Sequence, residues 1–221
     1  MATETSHLHT VIPSHKFPNL FLRTIKASDA ERFVAILSAP SNKSDPHSQD
    51  MSLEAAEASI ALMLESASEP TKLNAQGKVF GGPGRVNMML VLKAEDGSDE
   101  ERIIGLGGFG AIKTRKCLDG REIRVGDAGV MLDPAYKRLG YGLEAMKMAI
   151  NWAYKPVSEG GAQLDLVTMT TLAENVAMLQ LIDEKLGLEG KGVTRQAEFD
   201  ENKMEVYYEL PKEAWENLKR N

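Results

Sequence analysis

Between Leu132 and Leu143 the chain reads Leu-Asp-Pro-Ala-Tyr-Lys-Arg-Leu-Gly-Tyr-Gly-Leu. An apolar run from Val130 ends at Asp133-Pro134. Adjacent cations follow at Lys137 and Arg138, and glycines stand at 140 and 142 before a long helical pattern. A strand that turns into a helix this way leaves backbone N–H groups unpaired at the helix start, where peptide dipoles favour an anion. Gly140 and Gly142 remove side chains where phosphate oxygens must approach closely. The corner suits a pyrophosphate, which points to an enzyme or sensor built around a phosphate-containing cofactor. A plain strand–helix turn has similar spacing. The preceding strand, Pro134, the basic pair and the long helix favour the phosphate reading.

Other elements must position this corner. Alternation and apolar runs predict strands at Leu20–Ile25, Val86–Lys93, Arg102–Gly110, Arg124–Leu132, Leu164–Met169, Leu188–Thr194 and Met204–Leu210. Helical spacing marks Ala30–Leu37 after a Ser28-Asp29 cap, Ser52–Glu65, Gly140–Tyr154, Ala173–Leu186 closed by Gly187, and Pro211–Arg220. Asp96-Gly97 reads as a hairpin turn. Pro40–Asp50 and the glycine-bearing Glu69–Arg85 read as irregular, the second as a lid, a substrate wall or a plain insertion. The glycines at 105, 107, 108 and 110 lack phosphate-loop spacing and read as sheet distortion or close packing. The sum is mixed α/β. One domain is expected over 19–221, behind a flexible tail over 1–18.

Composition narrows the classes. Twenty-six Lys and Arg against 32 Asp and Glu give a net charge of −6, which argues against broad nucleic-acid binding. Cys117 is the only cysteine, so no intrachain disulfide forms and a reducing, cytoplasmic or also nuclear, setting is expected. Cys117 reads as a small buried hydrophobe rather than a nucleophile. The N-terminal stretch lacks the apolar core of a signal peptide, and no apolar run is long enough to span a membrane. His7, His9 and His15 have no cysteine or carboxylate cluster to complete a metal site, and no metal is expected.

On the corner motif, with Lys137-Arg138-Leu139-Gly140-Tyr141-Gly142 in place of Gln/Arg-x-x-Gly-x-Gly/Ala, the chain resembles the GCN5-related N-acetyltransferase (GNAT) superfamily. The ribosomal-protein alanine acetyltransferase-like branch is the nearest look. Thr170 to Leu179 followed by Asp183-Glu184-Lys185-Leu186-Gly187-Leu188 is similar to that family's Asn-x-x-Ser and Glu-Lys-Leu-Gly-Phe segments.

The resemblance implies a strongly twisted mixed sheet of about seven strands, flanked by helices and split into a V between two central strands. It implies acetyl-CoA as cofactor. Lys137, Arg138, Leu139, Gly140, Tyr141, Gly142 and Leu143 would hold the pyrophosphate, with Lys137 keeping the charge of the usual residue but not its planar fork. Asn175 would support the cofactor arm; as a residue alone it also reads as a helix cap. Val130, Met131 and Leu132 would line the pantetheine arm, with the N–H of Met131 or Leu132 on the thioester carbonyl. Asp127 is the implied general base, with Glu122 and Asp165 as alternatives.

Met178 and Ile182 stand where relatives carry Ser and Tyr, so neither returns a proton to the thiolate. Tyr207 and Tyr208 are the substitutes considered, or sheet aromatics. The implied activity is direct acetyl transfer to a primary amine, small or at a peptide N-terminus, by a monomer or homodimer. A non-catalytic acyl-CoA-binding regulatory module is the alternative.

Overall fold

The computed structural model describes residues 5–45, 48–94 and 100–220. In chain order the strands are β1 (Val11–Pro13), β2 (Leu20–Thr24), β3 (Lys72–Leu73), β4 (Val79–Gly81), β5 (Val86–Lys93), β6 (Glu101–Lys116), β7 (Glu122–Ala128), β8 (Met131–Leu132), β9 (Leu166–Leu172), β10 (Val193–Ala197) and β11 (Asp200–Pro211). The helices are α1 (Ala30–Leu37), α2 (Leu53–Ser68), α3 (Tyr141–Tyr154), α4 (Val176–Gln180) and α5 (Lys212–Leu218). The main sheet has nine strands in the order β1-β2-β5-β6-β7-β9-β11-β10, with β8 also on β6. β7 and β9 run parallel, while the other strand pairs of this sheet among the described residues are antiparallel. Strand periodicity alone fell short of nine because β8 is a separate piece and β1 lies in the expected tail.

Both faces of the sheet are covered. Leu20, Leu22, Val86, Met88 and Leu90 pack with α3 and its neighbours, whereas Phe21, Met89 and Val91 pack with α1 and α2. Every residue of β2 is therefore buried. At its end, Arg23 forms a two-pronged ion pair with Asp29 at 2.7 and 2.9 Å, which ties β2 to the start of α1.

The described part of the expected tail, residues 5–18, is packed rather than free. β1 pairs with β2, and the His7 ring is fully buried edge-on against Trp152, 5.1 Å between centroids. Polarity makes this stretch read as a tail; a bond between His7 Nε2 and Thr71 Oγ1 (2.8 Å) and one from Ser14 Oγ to Glu144 (2.7 Å) explain how it packs.

The irregular 69–85 segment holds the small β3–β4 hairpin. The expected Ala173–Leu186 helix is a short α4 followed by a π-helical turn over Leu181–Lys185. The expected Arg124–Leu132 strand is broken between β7 and β8. The Asp96-Gly97 turn lies outside the described residues.

Candidate active site

The glycines of β6 shape the site. Gly108 has φ +89°, and a Cβ there would stand 2.5 Å from the Val86 carbonyl oxygen. Register shifts leave Ile104 and Gly110 as extra residues on β6, against β5 and β7 respectively. Such bulges bend and twist a strand. At Gly105 a Cβ would meet Leu132 Cδ2 at 2.8 Å, so the missing side chain makes room for Leu132.

β7 stays paired with β9 through Val125–Leu166, Gly126–Val167 and Asp127–Thr168. Beyond that point β8 stays on β6 and β9 goes on pairing with β11. The sheet opens there into a V. Asp127 sits at the vertex, where its Oδ1 accepts the hydroxyls of Thr168 at 2.7 Å and Thr170 at 3.0 Å. The alternatives lie at the other end of these strands. Glu122 opens β7, roughly 16 Å from Asp127 at strand rise. Asp165 precedes β9, and its Oδ2 accepts the Arg124 N–H at 2.7 Å.

The strand β8 offers one particular face to the opening. Gly129 N–H donates to the Gly108 carbonyl and Asp133 N–H to that of Ile104. Between them Met131 lies opposite Leu106 and Leu132 opposite Gly105. Antiparallel alternation turns Met131 N–H toward β6 and the N–H groups of Val130 and Leu132 away from it. The Leu132 carbonyl faces the same outward side, where Asn42 Nδ2 donates to it at 3.0 Å. Of the two donors named from sequence, Leu132 N–H is the one turned away from β6, while the cleft itself is lined by Val130 and Met131.

Asp133 then ends the strand. Its carboxylate accepts the Ala135 N–H and pairs with Arg32 at 2.6 Å; these bonds outweigh burial and hold it below the usual range. Arg138 and Gly140 follow with φ of +65° and +86°, a left-handed geometry that gathers successive N–H groups on one side. No side chain caps α3 at its N-terminus. The first-turn N–H groups of Tyr141, Gly142 and Leu143 are those that a helix leaves without internal partners. A Cβ at Gly140 would meet only the Phe17 ring at 3.6 Å and Lys16 Nζ at 4.0 Å. Phe17 also stacks edge-on against Tyr141. Lys16 is a cation beside the corner that no local motif could reveal, because the fold of the N-terminal segment brings it there.

Lys137 is used differently from the expectation. Its ammonium donates to the Ser41 carbonyl at 2.9 Å, and burial lowers its pKa against the opposing pull of Asp45. Arg138 and Leu139 are exposed. Asn175 caps α4, accepting the Met178 N–H on Oδ1 at 3.3 Å. Tyr208 donates to Asp183, and burial and that bond raise its pKa; Tyr207 donates to Glu209. Neither tyrosine is among the residues lining the cleft. Met178 does line it, and Ile182 is fully buried in the core.

A family model for the acetyltransferase (GNAT) domain matches residues 19–189. The chain belongs to the GNAT acetyltransferase family. Solved GNAT structures share its fold. A ribosomal-protein-S5-alanine acetyltransferase from Vibrio fischeri superposes with a TM-score of 0.58 at 16% identity, covering 91% of this chain and 98% of that one. A GNAT-family acetyltransferase from Bacillus anthracis gives 0.58 at 16%, covering 92% and 99%. Apo FdhC, described as a nucleotide-linked sugar GNAT, gives 0.58 at 13%, covering 96% of each chain. No curated protein sequence matches.

Proposed function

We propose that this GNAT chain moves the acetyl group of acetyl-CoA to a primary amine by direct transfer. One observation carries the reading: a carboxylate, Asp127, lines the opening of a split sheet beside β8, whose outward N–H groups are unused by the ladder and whose end leads to an uncapped helix start. Acetyl-CoA supplies an activated acyl carbon and a thiolate leaving group. The first turn of α3 holds the diphosphate, with Lys16 and Arg138 as the nearby cations, and Val130–Leu132 guide the arm. Leu132 N–H stabilises charge on the carbonyl oxygen. Asp127, oriented by Thr168 and Thr170, takes the proton from the attacking ammonium, directly or through a water. Asn175 supports the chain near the arm by fixing the start of α4. The likeness to a ribosomal-protein branch leaves the acceptor open, since the structural relatives carry names as different as a ribosomal-protein and a nucleotide-sugar enzyme.

The test is thiol release from acetyl-CoA with a panel of amines, amino acids and peptides. Acetylated product should form, and Asp127→Asn should lower kcat about 100-fold or more while leaving coenzyme A affinity within about twofold. Equal rates for the two proteins across pH remove Asp127 from the mechanism. A second reading rests on Met178 and Ile182, which place no proton donor where relatives have one. Tight acetyl-CoA binding with no turnover on any acceptor supports a non-catalytic acyl-CoA-binding module.

A further inference from the structure

The cleft at the V has a volume of about 530 Å³. Phe33, Leu37, Met63 and Met89 make much of its wall apolar, and its charged lining is Asp45, Asp127 and Arg85. Arg85 stands apart from the machinery described above. Its backbone is fixed on both sides: its N–H donates to Ser66 Oγ at 3.0 Å, and that hydroxyl donates to its carbonyl at 3.2 Å. The neighbouring Gly84 carbonyl takes the Ile112 N–H. So α2 and β6 together set where the Arg85 side chain starts. Among the described residues Arg85, a half-buried residue of the cleft wall, forms no ion pair. Two residues along the same face Asn87 also lines the cleft, and its amide oxygen is buried without a partner.

A planar cation with five donors, set on a rigid backbone against an apolar wall, gains most from a two-oxygen anion. Asp127 lies two strand spacings away across β6, about 10 Å between strand axes. Positive and negative groups thus line one cavity at two points of the same sheet, a pattern that complements a zwitterion.

We propose that Arg85 is the specificity-determining residue of the acceptor site, and that the acceptor is an amine bearing a carboxylate several bonds from its reactive nitrogen. The ammonium goes to Asp127 and the carboxylate to Arg85, with the apolar spacer along Phe33, Met63 and Met89. This rests on the amine-acetylating reading above and names its substrate class. The carboxylate belongs either to a free amino acid or to an acidic side chain of a peptide.

The experiment compares 6-aminohexanoate with 6-aminohexanamide, and the amidated peptide Ala-Glu-Ala with Ala-Gln-Ala. Wild type, Arg85→Met and Arg85→Lys are each assayed for kcat/KM and for acceptor binding by calorimetry. In wild type at least one acid should exceed its amide about tenfold, and the pair that does so identifies the source. Arg85→Met should erase that preference while acetylating the amide at an unchanged rate, and Arg85→Lys should keep part of it. All three proteins should melt alike, because no internal ion pair is lost. Equal use of acid and amide by wild type, or equal slowing of both by Arg85→Met, overturns the proposal. Calorimetry separates the two readings. Arg85-dependent binding of an acid without turnover sinks acetyl transfer alone, and turnover indifferent to Arg85 sinks this inference alone.

Discussion

Acidification should destabilise this protein through His7. The imidazole is fully buried, bonded through Nε2 to Thr71 and packed on Trp152, and its Nδ1 has no partner among the described residues. Burial pushes its pKa from 6.5 down to about 4. The native state therefore holds His7 neutral at pH values where the unfolded chain has already bound a proton. Stability is unaffected above pH 6.5, falls as pH drops toward 4, and levels off below that. Each unit corresponds to about 1.4 kcal/mol, so the full loss is about 3 kcal/mol.

The assay is urea unfolding of wild type and His7→Gln at half-unit steps from pH 7.5 to 4. Carboxylates titrate in both proteins, so the difference between the two curves isolates the ring. His7→Gln should be less stable at neutral pH, where its shape fits less well, and the gap should close by about 1.4 kcal/mol per unit below pH 6.5. Parallel profiles would refute the argument, since they would mean that the ring is hydrated or protonated where it lies.

Other outcomes follow from the same geometry. Asp29→Ala leaves Arg23 buried with Glu101 as its remaining carboxylate among the described residues and should cost about 3–5 kcal/mol in urea unfolding; a loss below about 1 kcal/mol contradicts the role given to this pair. Gly140→Glu sets a side chain in a left-handed position, at a strain of about 1–2 kcal/mol, and adds a negative charge at the helix start. Its coenzyme A affinity should fall at least about tenfold, and unchanged affinity with an intact fold misplaces the phosphate site. Leu132→Pro deletes an N–H that the ladder to β6 does not use. It should lower kcat by about 100-fold to 1000-fold in a protein that still folds, whereas unaltered kcat assigns the carbonyl donor elsewhere.

Local pattern was enough to locate the corner. The helical spacing of α3, the glycines at 140 and 142 and the Asp133-Pro134 stop are properties of adjacent residues, and the chain folds there as those residues dictate. Gly187 closes its helix with φ +80° for the same reason. Asn175 was legible as a cap because a cap is decided within one turn.

What sequence could not carry is whatever depends on a distant partner. The polarity of the first residues hid a strand and a buried histidine, because only β2, Thr71 and Trp152 give them a place. Lys137 lies in the motif, yet Ser41, far back in the chain, claims its ammonium. Which of the Met131 and Leu132 N–H groups bonds β6 is set by the register, and a one-residue slip would exchange them. Arg85 and Lys16 belong to no motif, and only packing brings one to the cleft and the other to the helix start. Periodicity is set by near neighbours and can be read in order along the chain; the pairing of strands joins residues far apart, and it alone fixes which polar groups face the opening.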